Sequence, residues 1–178
     1  FYTYDLFHSF HLGVGKSFVA GCLALASEYM WAGNVDARLE QLSSLWLNWT
    51  EENHEYAYIY SITRSLLGWP DTGTYANGQW SKGHVTTKLC CFFEAWASEQ
   101  NLEEDDLMRL ALETSKRISM CLRKMYECDV WLNRNDAEVV ANAGLGFLEG
   151  YKQLALQCFR LGRALFPHMP KGHAMDHI

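Results

Sequence analysis

The chain lacks the cysteine spacing of metal clips and disulfide scaffolds. None of its six cysteines forms a C-x-x-C pair. Several lie on apolar helical faces, where a free thiol behaves as a small hydrophobic side chain. We therefore expect a reducing compartment, nuclear or cytoplasmic. The cysteines are Cys22, Cys90, Cys91, Cys121, Cys128 and Cys158.

Basic residues are scarce as well. Lys and Arg number 15 against 21 Asp and Glu, which gives a net charge of −6. This balance excludes the usual free-standing nucleic-acid binder, whose clustered cations neutralise phosphates. We expect no signal peptide, and the longest apolar run, residues 18–26, is too short and too broken to span a bilayer. We expect no membrane contact.

A nucleotide-binding loop is missing too, although residues 13–17 read Gly-Val-Gly-Lys-Ser. A phosphate-binding loop needs a first glycine that four residues separate from the Gly-Lys pair. The residue at the equivalent position is Phe10. No buried strand precedes the segment, so we predict no nucleotide site and interpret Lys16 as a solvated side chain on a packed helix.

What the chain does have is helical periodicity over most of its 178 residues. A hydrophobic content of 49% is that of an ordinary globular domain and suffices for one core. We predict an all-α fold: one domain over residues 1–178, with five or six helices and an irregular segment near 53–80. We also expect the chain to be a piece of a longer protein.

The first half of the chain contains two predicted helices. One begins after Asp5, is weakened by Gly13 and Gly15, and ends near Gly33. The second covers residues 35–52 and buries a leucine and tryptophan face. The alternation of Tyr56, Tyr58 and Tyr60 also permits a short strand at residues 56–62. Further helices are predicted at residues 81–99, after the acidic run 103–106, from Asn133 to Pro167, and from Lys171.

The helix after the acidic run carries one apolar stripe with intervals of four and three residues. On the last long helix, Gly144, Gly146 and Gly150 predict the close approach of a neighbour's backbone. Its predicted inward positions include Leu161 and Leu165. The stripe consists of Leu107, Ala111, Thr114, Ile118, Cys121 and Met125.

Histidines are concentrated at the two ends of the chain. Asp5 and His8 are three residues apart, and His173 and His177 are four apart, so each pair shares one helical face. Three imidazoles and a carboxylate form a suitable tetrahedral set for zinc if the ends meet. His11 is a reserve ligand. The alternative is that these histidines are only surface or capping residues.

The same two ends resemble a known family. The segment at 4–13, Tyr-Asp-Leu-Phe-His-Ser-Phe-His-Leu-Gly, resembles the Asp-x-x-His…Leu-Gly motif of CACTA-type transposases, which belong to the RNase H-like DDE superfamily. Residues 166–177 are similar to the Pro/Lys-x-His…His segment that follows the helical insertion of those enzymes. The whole chain, including residues 75–83 and 126–131, also resembles a set of uncharacterised dinoflagellate proteins.

The transposase resemblance implies a function. In related recombinases, a pair before the helical insert joins a His pair after it around zinc, a role that falls here on Asp5, His8, His173 and His177. The catalytic carboxylates would lie outside this piece. We therefore expect a non-catalytic helical insert that supports a catalytic core, with contacts to DNA through the parent protein or to a second subunit.

Two other functions remain open from the residues alone. One is a metal-free helical interaction module that uses exposed Trp31, Trp49, Trp80 and Trp131, as a homo-oligomer or with another protein. The other is a small zinc-dependent hydrolase that uses three of the histidines, with Asp5 or Glu55 as base.

A basic face is interpreted as solvated surface that could touch a phosphate backbone. It comprises Lys116, Arg117, Arg123 and Lys124.

Overall fold

The computed structural model describes residues 7–31, 33–102, 105–128 and 131–167. Over these residues the chain is helical and has no strand, so the all-α prediction is confirmed. A π-helical segment, Phe7–Val14, leads into the first α-helix, and a 3₁₀ turn, Ser27–Tyr29, follows it. The α-helices are α1 Gly15–Ala26, α2 Val35–Glu52, α3 Arg64–Leu67, α4 Gly83–Ser98, α5 Asp106–Glu127 and α6 Arg134–Arg160.

The break expected near the two early glycines occurs at Gly13, whose φ of −119° and ψ of −117° are not helical. Gly15 is required by packing, because a Cβ there would lie 2.7 Å from the carbonyl oxygen of Phe10. Behind this kink, α1 is buried on every side except at Lys16. It is the central helix of the fold, and α4, α5 and the π-helical segment pack against it.

Helix α2 has the predicted bounds. Asn34 caps it by accepting a hydrogen bond from the Ala37 N–H at 2.8 Å. Leu39, Leu42 and Trp46 are buried, as the apolar face predicts.

The short strand that the sequence permits at residues 56–62 does not form. The chain bends at Tyr58 and Tyr60, and no strand forms there. Side-chain exposure still alternates along this segment: Tyr56, Tyr58 and Tyr60 are exposed, and Ile59 packs against the core. A strand needs a neighbour for its hydrogen-bond ladder, and the elements around this segment are helices.

Helices α5 and α6 pack against each other along their length. Asp105, from the acidic run, caps α5 through a 2.8 Å hydrogen bond from the Met108 N–H. The stripe on α5 is buried from Leu107 to Cys121, as predicted, whereas Met125 is exposed. The three glycines of α6 face side chains of α5 and not its backbone: Gly150 faces Thr114, and Gly146 faces Arg117.

The predicted end of α6 at Pro167 is wrong, because the helix ends at Arg160. Gly162, with φ of +68°, closes it: the Gly162 N–H bonds the Phe159 carbonyl and the Arg163 N–H bonds the Cys158 carbonyl. This is a Schellman motif, which satisfies the last helical carbonyls. Leu161 is consequently exposed and not inward, whereas Leu165 is buried as predicted. The short helix expected from Lys171 lies outside the described residues.

One contiguous apolar core joins all the larger helices. The six cysteines are free thiols, four of them buried in that core. The helical stretch Ser9–Tyr29 is long and apolar enough to cross a membrane, with a mean hydropathy of 1.3, and 89% of that apolar window is buried inside the fold. A central core helix meets the same criteria, so the absence of membrane contact remains a prediction.

Candidate functional site

The predicted zinc ligands fall at the limits of the described chain. Asp5, His173 and His177 lie outside the described residues, and so does the side chain of His8. Within the ranges 7–31, 33–102, 105–128 and 131–167, no three His, Cys, Asp or Glu side chains come together as a metal site would require. The four-ligand set therefore remains a prediction.

The reserve ligand, His11, is buried against α4. Its Nδ1 atom lies 3.2 Å from the Thr87 hydroxyl. Its backbone carbonyl accepts a 2.6 Å hydrogen bond from the Thr86 hydroxyl, which in turn accepts one from Trp80 Nε1 at 2.8 Å. His11 thus joins the π-helical segment to α4, a structural role that sequence spacing did not reveal.

The first and last described segments meet on the same two turns of α6. The Phe10 ring packs edge-on against Phe147, with ring centroids 5.5 Å apart. One turn along, the Tyr151 hydroxyl donates to the Pro167 carbonyl at 2.5 Å. The Tyr151 ring also packs edge-on against the Phe166 ring, with ring centroids 6.2 Å apart. Residues 10 and 167 are therefore held against one short stretch of a single helix.

Three residues suited to covalent or acid–base chemistry, Glu55, Cys90 and His84, are each engaged in other contacts or buried. Glu55, the candidate base, is paired with the Lys88 ammonium. Burial raises the pKa of the Cys90 thiol from 9.0 to about 12, although a hydrogen bond with Ser115 opposes the rise. His84 packs against a tyrosine instead of activating that thiol. These residues do not form a nucleophile–base pair.

Two of the four tryptophans expected at the surface are exposed. Trp31 and Trp131 are 90% and 88% exposed. Trp80 is buried, and its indole N–H bonds Thr86. Trp49 stacks on Trp46 with ring centroids 5.6 Å apart and is partly buried. The expectation that Trp49 and Trp80 present free faces is wrong, because both rings complete the core.

A tyrosine cluster, defined as Tyr56, Tyr58, Tyr60, Lys82 and His84, forms the most distinctive surface feature. The ring centroids of Tyr56 and Tyr58 lie 4.7 Å apart, and His84 packs edge-on against Tyr58 with ring centroids 4.1 Å apart. The Lys82 ammonium lies 5.4 Å from the Tyr58 ring centroid, a cation–π contact. A hydrogen bond with Tyr56 raises the pKa of Tyr60.

The cluster encloses a shallow cavity with a volume of about 440 Å³, which is lined by the three tyrosines, Ala57 and Lys82. Helix α2 holds it in place. Trp46 Nε1 donates to the Ile59 carbonyl at 2.8 Å, and the Ser43 hydroxyl accepts from the Ile62 N–H at 2.7 Å. Ile62 is buried, so the exposed rings project from an anchored backbone.

Sequence reasoning noted the three tyrosines and missed the cluster. Lys82 and His84 follow Tyr58 by more than twenty residues, and only the path of the chain brings them to it. The alternation of the three tyrosines is the signal that the sequence offers, and it also permits a short strand.

The basic face on α5 is partly offset by acidic neighbours. Lys124 forms a 2.6 Å ion pair with Asp136, and that hydrogen bond raises the pKa of Lys124 and lowers that of Asp136. Glu94 and Glu127 line the same shallow depression, whose volume is about 310 Å³. The face therefore lacks the concentrated positive charge that a phosphate backbone selects.

Comparison of the chain with protein-family models, with curated proteins and with solved structures finds no match.

Proposed function

We propose that this chain is a non-catalytic protein-interaction domain and that the tyrosine cluster is its recognition surface. The observation that carries the proposal is the exposure of three tyrosines on an anchored, non-helical segment, where Tyr56 contacts the Tyr58 ring and hydrogen-bonds Tyr60. A domain that only had to bury a core would not leave these rings in water. Aromatic side chains with a polar tip are typical of binding surfaces.

The chemistry of the cluster defines the partner. Ring faces offer flat apolar area, while the tyrosine hydroxyls and the Lys82 ammonium offer hydrogen-bond donors. A proline-rich segment in the polyproline II conformation has complementary features: its pyrrolidine rings are apolar, and its backbone carbonyls are unpaired acceptors. Such a segment is already extended, so it loses little conformational entropy when it binds.

Titration of the isotope-labelled chain with a polyproline peptide tests the proposal. We expect saturable NMR shift changes at the backbone amides of residues 55–62 and 82–84. Tyr58→Ala removes the ring that contacts Tyr56, His84 and Lys82. The variant should bind at least about tenfold more weakly, a loss of about 1.4 kcal/mol.

The matched control is Tyr126→Ala, which removes an exposed tyrosine from α5. It should bind the peptide like the unchanged chain. A Gly/Ser peptide of equal length should cause no shifts. Equal weakening by both tyrosine variants, or shifts located away from the cluster, would overturn the assignment of this surface.

The meeting of the first and last described segments on α6 favours a second candidate. We propose, on the strength of the transposase resemblance, a helical insert whose ends are joined by zinc on Asp5, His8, His173 and His177. An insert must enter and leave its parent fold at neighbouring points, and a metal clip offsets the entropy of closing so long a loop. The packing of Phe10 and Pro167 on adjacent turns of α6 supports this idea.

Metal analysis of the purified chain tests the second candidate. We expect about one zinc per chain, lost in the variant His173→Ala/His177→Ala together with part of the thermal stability. His54→Ala is the matched control, since His54 is exposed and far along the sequence from both ends. A chain that contains no zinc and unfolds at the same temperature with and without chelator would contradict the zinc clip. This result would leave the tyrosine-cluster proposal intact.

A further inference from the structure

Helix α6 exposes an apolar and charged seam to solvent along most of its length. Its members recur at intervals of three and four residues, so they form one line on the helix surface. Leu145, Leu156 and Phe159 are 57%, 47% and 76% exposed. The seam extends about 26 Å along the axis. It consists of Asn142, Leu145, Glu149, Lys152, Leu156 and Phe159.

The opposite face of α6 already packs against the rest of the fold. Phe147, Tyr151 and Leu154 are buried there, and Gly150 meets α5. The exposed seam therefore does not serve the core of this chain. Three large apolar side chains in water on one helix face favour contact with another surface.

The order of residues in the seam is self-complementary. If a second copy of α6 runs antiparallel, with the two-fold axis between residues 150 and 151, Leu145 faces Leu156 of the other helix. Glu149 then faces Lys152, and Asn142 faces Phe159. Every contact occurs twice, as the isologous interface of a two-fold dimer requires.

A parallel arrangement is disfavoured by the same residues. In a parallel pair, Glu149 would face Glu149 of the other copy and Lys152 would face Lys152, so like charges would repel each other in both layers. In the antiparallel pair, Glu149 faces Lys152 in both layers, and the opposite charges attract. A hydrogen bond from Gln153 Nε2 to Glu149 Oε1, 3.0 Å long, keeps that carboxylate on the exposed side. Charge order thus selects the direction of the partner helix.

We propose that a second copy of this chain docks on the α6 seam in an antiparallel orientation. The dimer uses a face of α6 remote in sequence from the tyrosine cluster and does not depend on peptide binding. Because the described seam is one helix wide, its area is below that of an obligate dimer, and association should depend on concentration.

Sedimentation equilibrium of the full chain at several concentrations tests the proposal. We expect a reversible monomer–dimer equilibrium that weakens as salt increases. Glu149→Lys should reduce dimerisation at least about tenfold, because the introduced ammonium then faces Lys152 of the other copy in two layers. Lys152→Glu should act in the same way. The double variant Glu149→Lys/Lys152→Glu should recover dimerisation, since it reverses both pairs.

The control is Glu113→Lys, which makes the same charge change on the exposed face of α5. It should dimerise like the unchanged chain. Circular dichroism should show equal helicity in all variants, which separates lost association from lost folding. The proposal is overturned if the unchanged chain stays monomeric at high concentration. It is also overturned if the single variants dimerise normally, or if the double variant fails to recover.

Discussion

Thr114 occupies the space directly above Gly150. A Cβ at position 150 would lie 2.2 Å from the Thr114 hydroxyl oxygen, far inside van der Waals contact. That hydroxyl also donates to the Leu110 carbonyl at 2.7 Å, so it is not free to rotate away without losing a bond. This close fit sets the distance between α5 and α6 at the middle of their contact.

Gly150→Ala should therefore destabilise the fold by about 1–2 kcal/mol, because overpacking outweighs the gain in helix propensity. Urea unfolding checks this value. Gly144→Ala is the matched control on the same helix, since its nearest neighbour, Cys121 Sγ, lies at 3.8 Å. It should stabilise by about 0.5–1 kcal/mol through propensity alone. Equal effects of the two substitutions would contradict the packing argument.

Thr86→Val should test the hydrogen-bond relay between Trp80 and His11. Valine keeps the shape of threonine but removes the buried hydroxyl that accepts from Trp80 Nε1 and donates to the His11 carbonyl. We expect a loss of about 2–3 kcal/mol in the free energy of unfolding. Thr87→Val, next to it, removes only the 3.2 Å contact with His11 Nδ1 and should cost less. The order of the two losses is the informative result.

Ser43→Ala should link the anchor of the tyrosine cluster to its binding. The Ser43 hydroxyl accepts from the Ile62 N–H and contacts the Ile62 carbonyl, both buried. Its removal should lower stability by about 1–2 kcal/mol and weaken polyproline binding, because the rings lose their fixed backbone. Ser44→Ala, on the exposed side of α2, should change neither. Unaltered peptide affinity in Ser43→Ala would mean that the anchor does not organise the cluster.

Alkaline pH should destabilise the chain through its buried thiols. Burial raises the pKa of Cys90 to about 12 and that of Cys158 to about 11, from 9.0. Because the unfolded chain loses these protons first, the contribution of these thiols to the free energy of unfolding should be constant from pH 7 to about pH 8.5 and fall as pH rises towards 11.

Denaturant unfolding from pH 7 to pH 11 measures this effect. The variant Cys90→Ala/Cys158→Ala should show a shallower decline, although its stability at pH 7 will be lower because it leaves cavities. A decline as steep in the double variant as in the unchanged chain would assign the pH dependence to other groups.

Local signals predicted the helices well where periodicity and capping agreed. Asn133 was predicted to start α6, and its side chain accepts a hydrogen bond from the first helical turn; Asn34 caps α2 in the same way. The apolar stripe of α5 was visible because a buried helical face repeats every three to four residues. Where the local signal was ambiguous, as for Tyr56 to Ile62, prediction failed. Exposure alternates there without any partner strand.

The sequence by itself determined the helical class, the free thiols and the apolar faces, because these depend on the order of neighbouring residues. Only the tertiary structure decided that Trp80 and Trp49 pack in the core, and that Lys82 and His84 join the tyrosines. It also decided that α6 ends at Arg160, closed by Gly162, and not at Pro167. Each of these results depends on contacts between segments distant in the sequence, or on a choice between two competing helix stops. Such outcomes depend on the free energy of packing over the whole core, and a local sequence pattern carries no information about that packing.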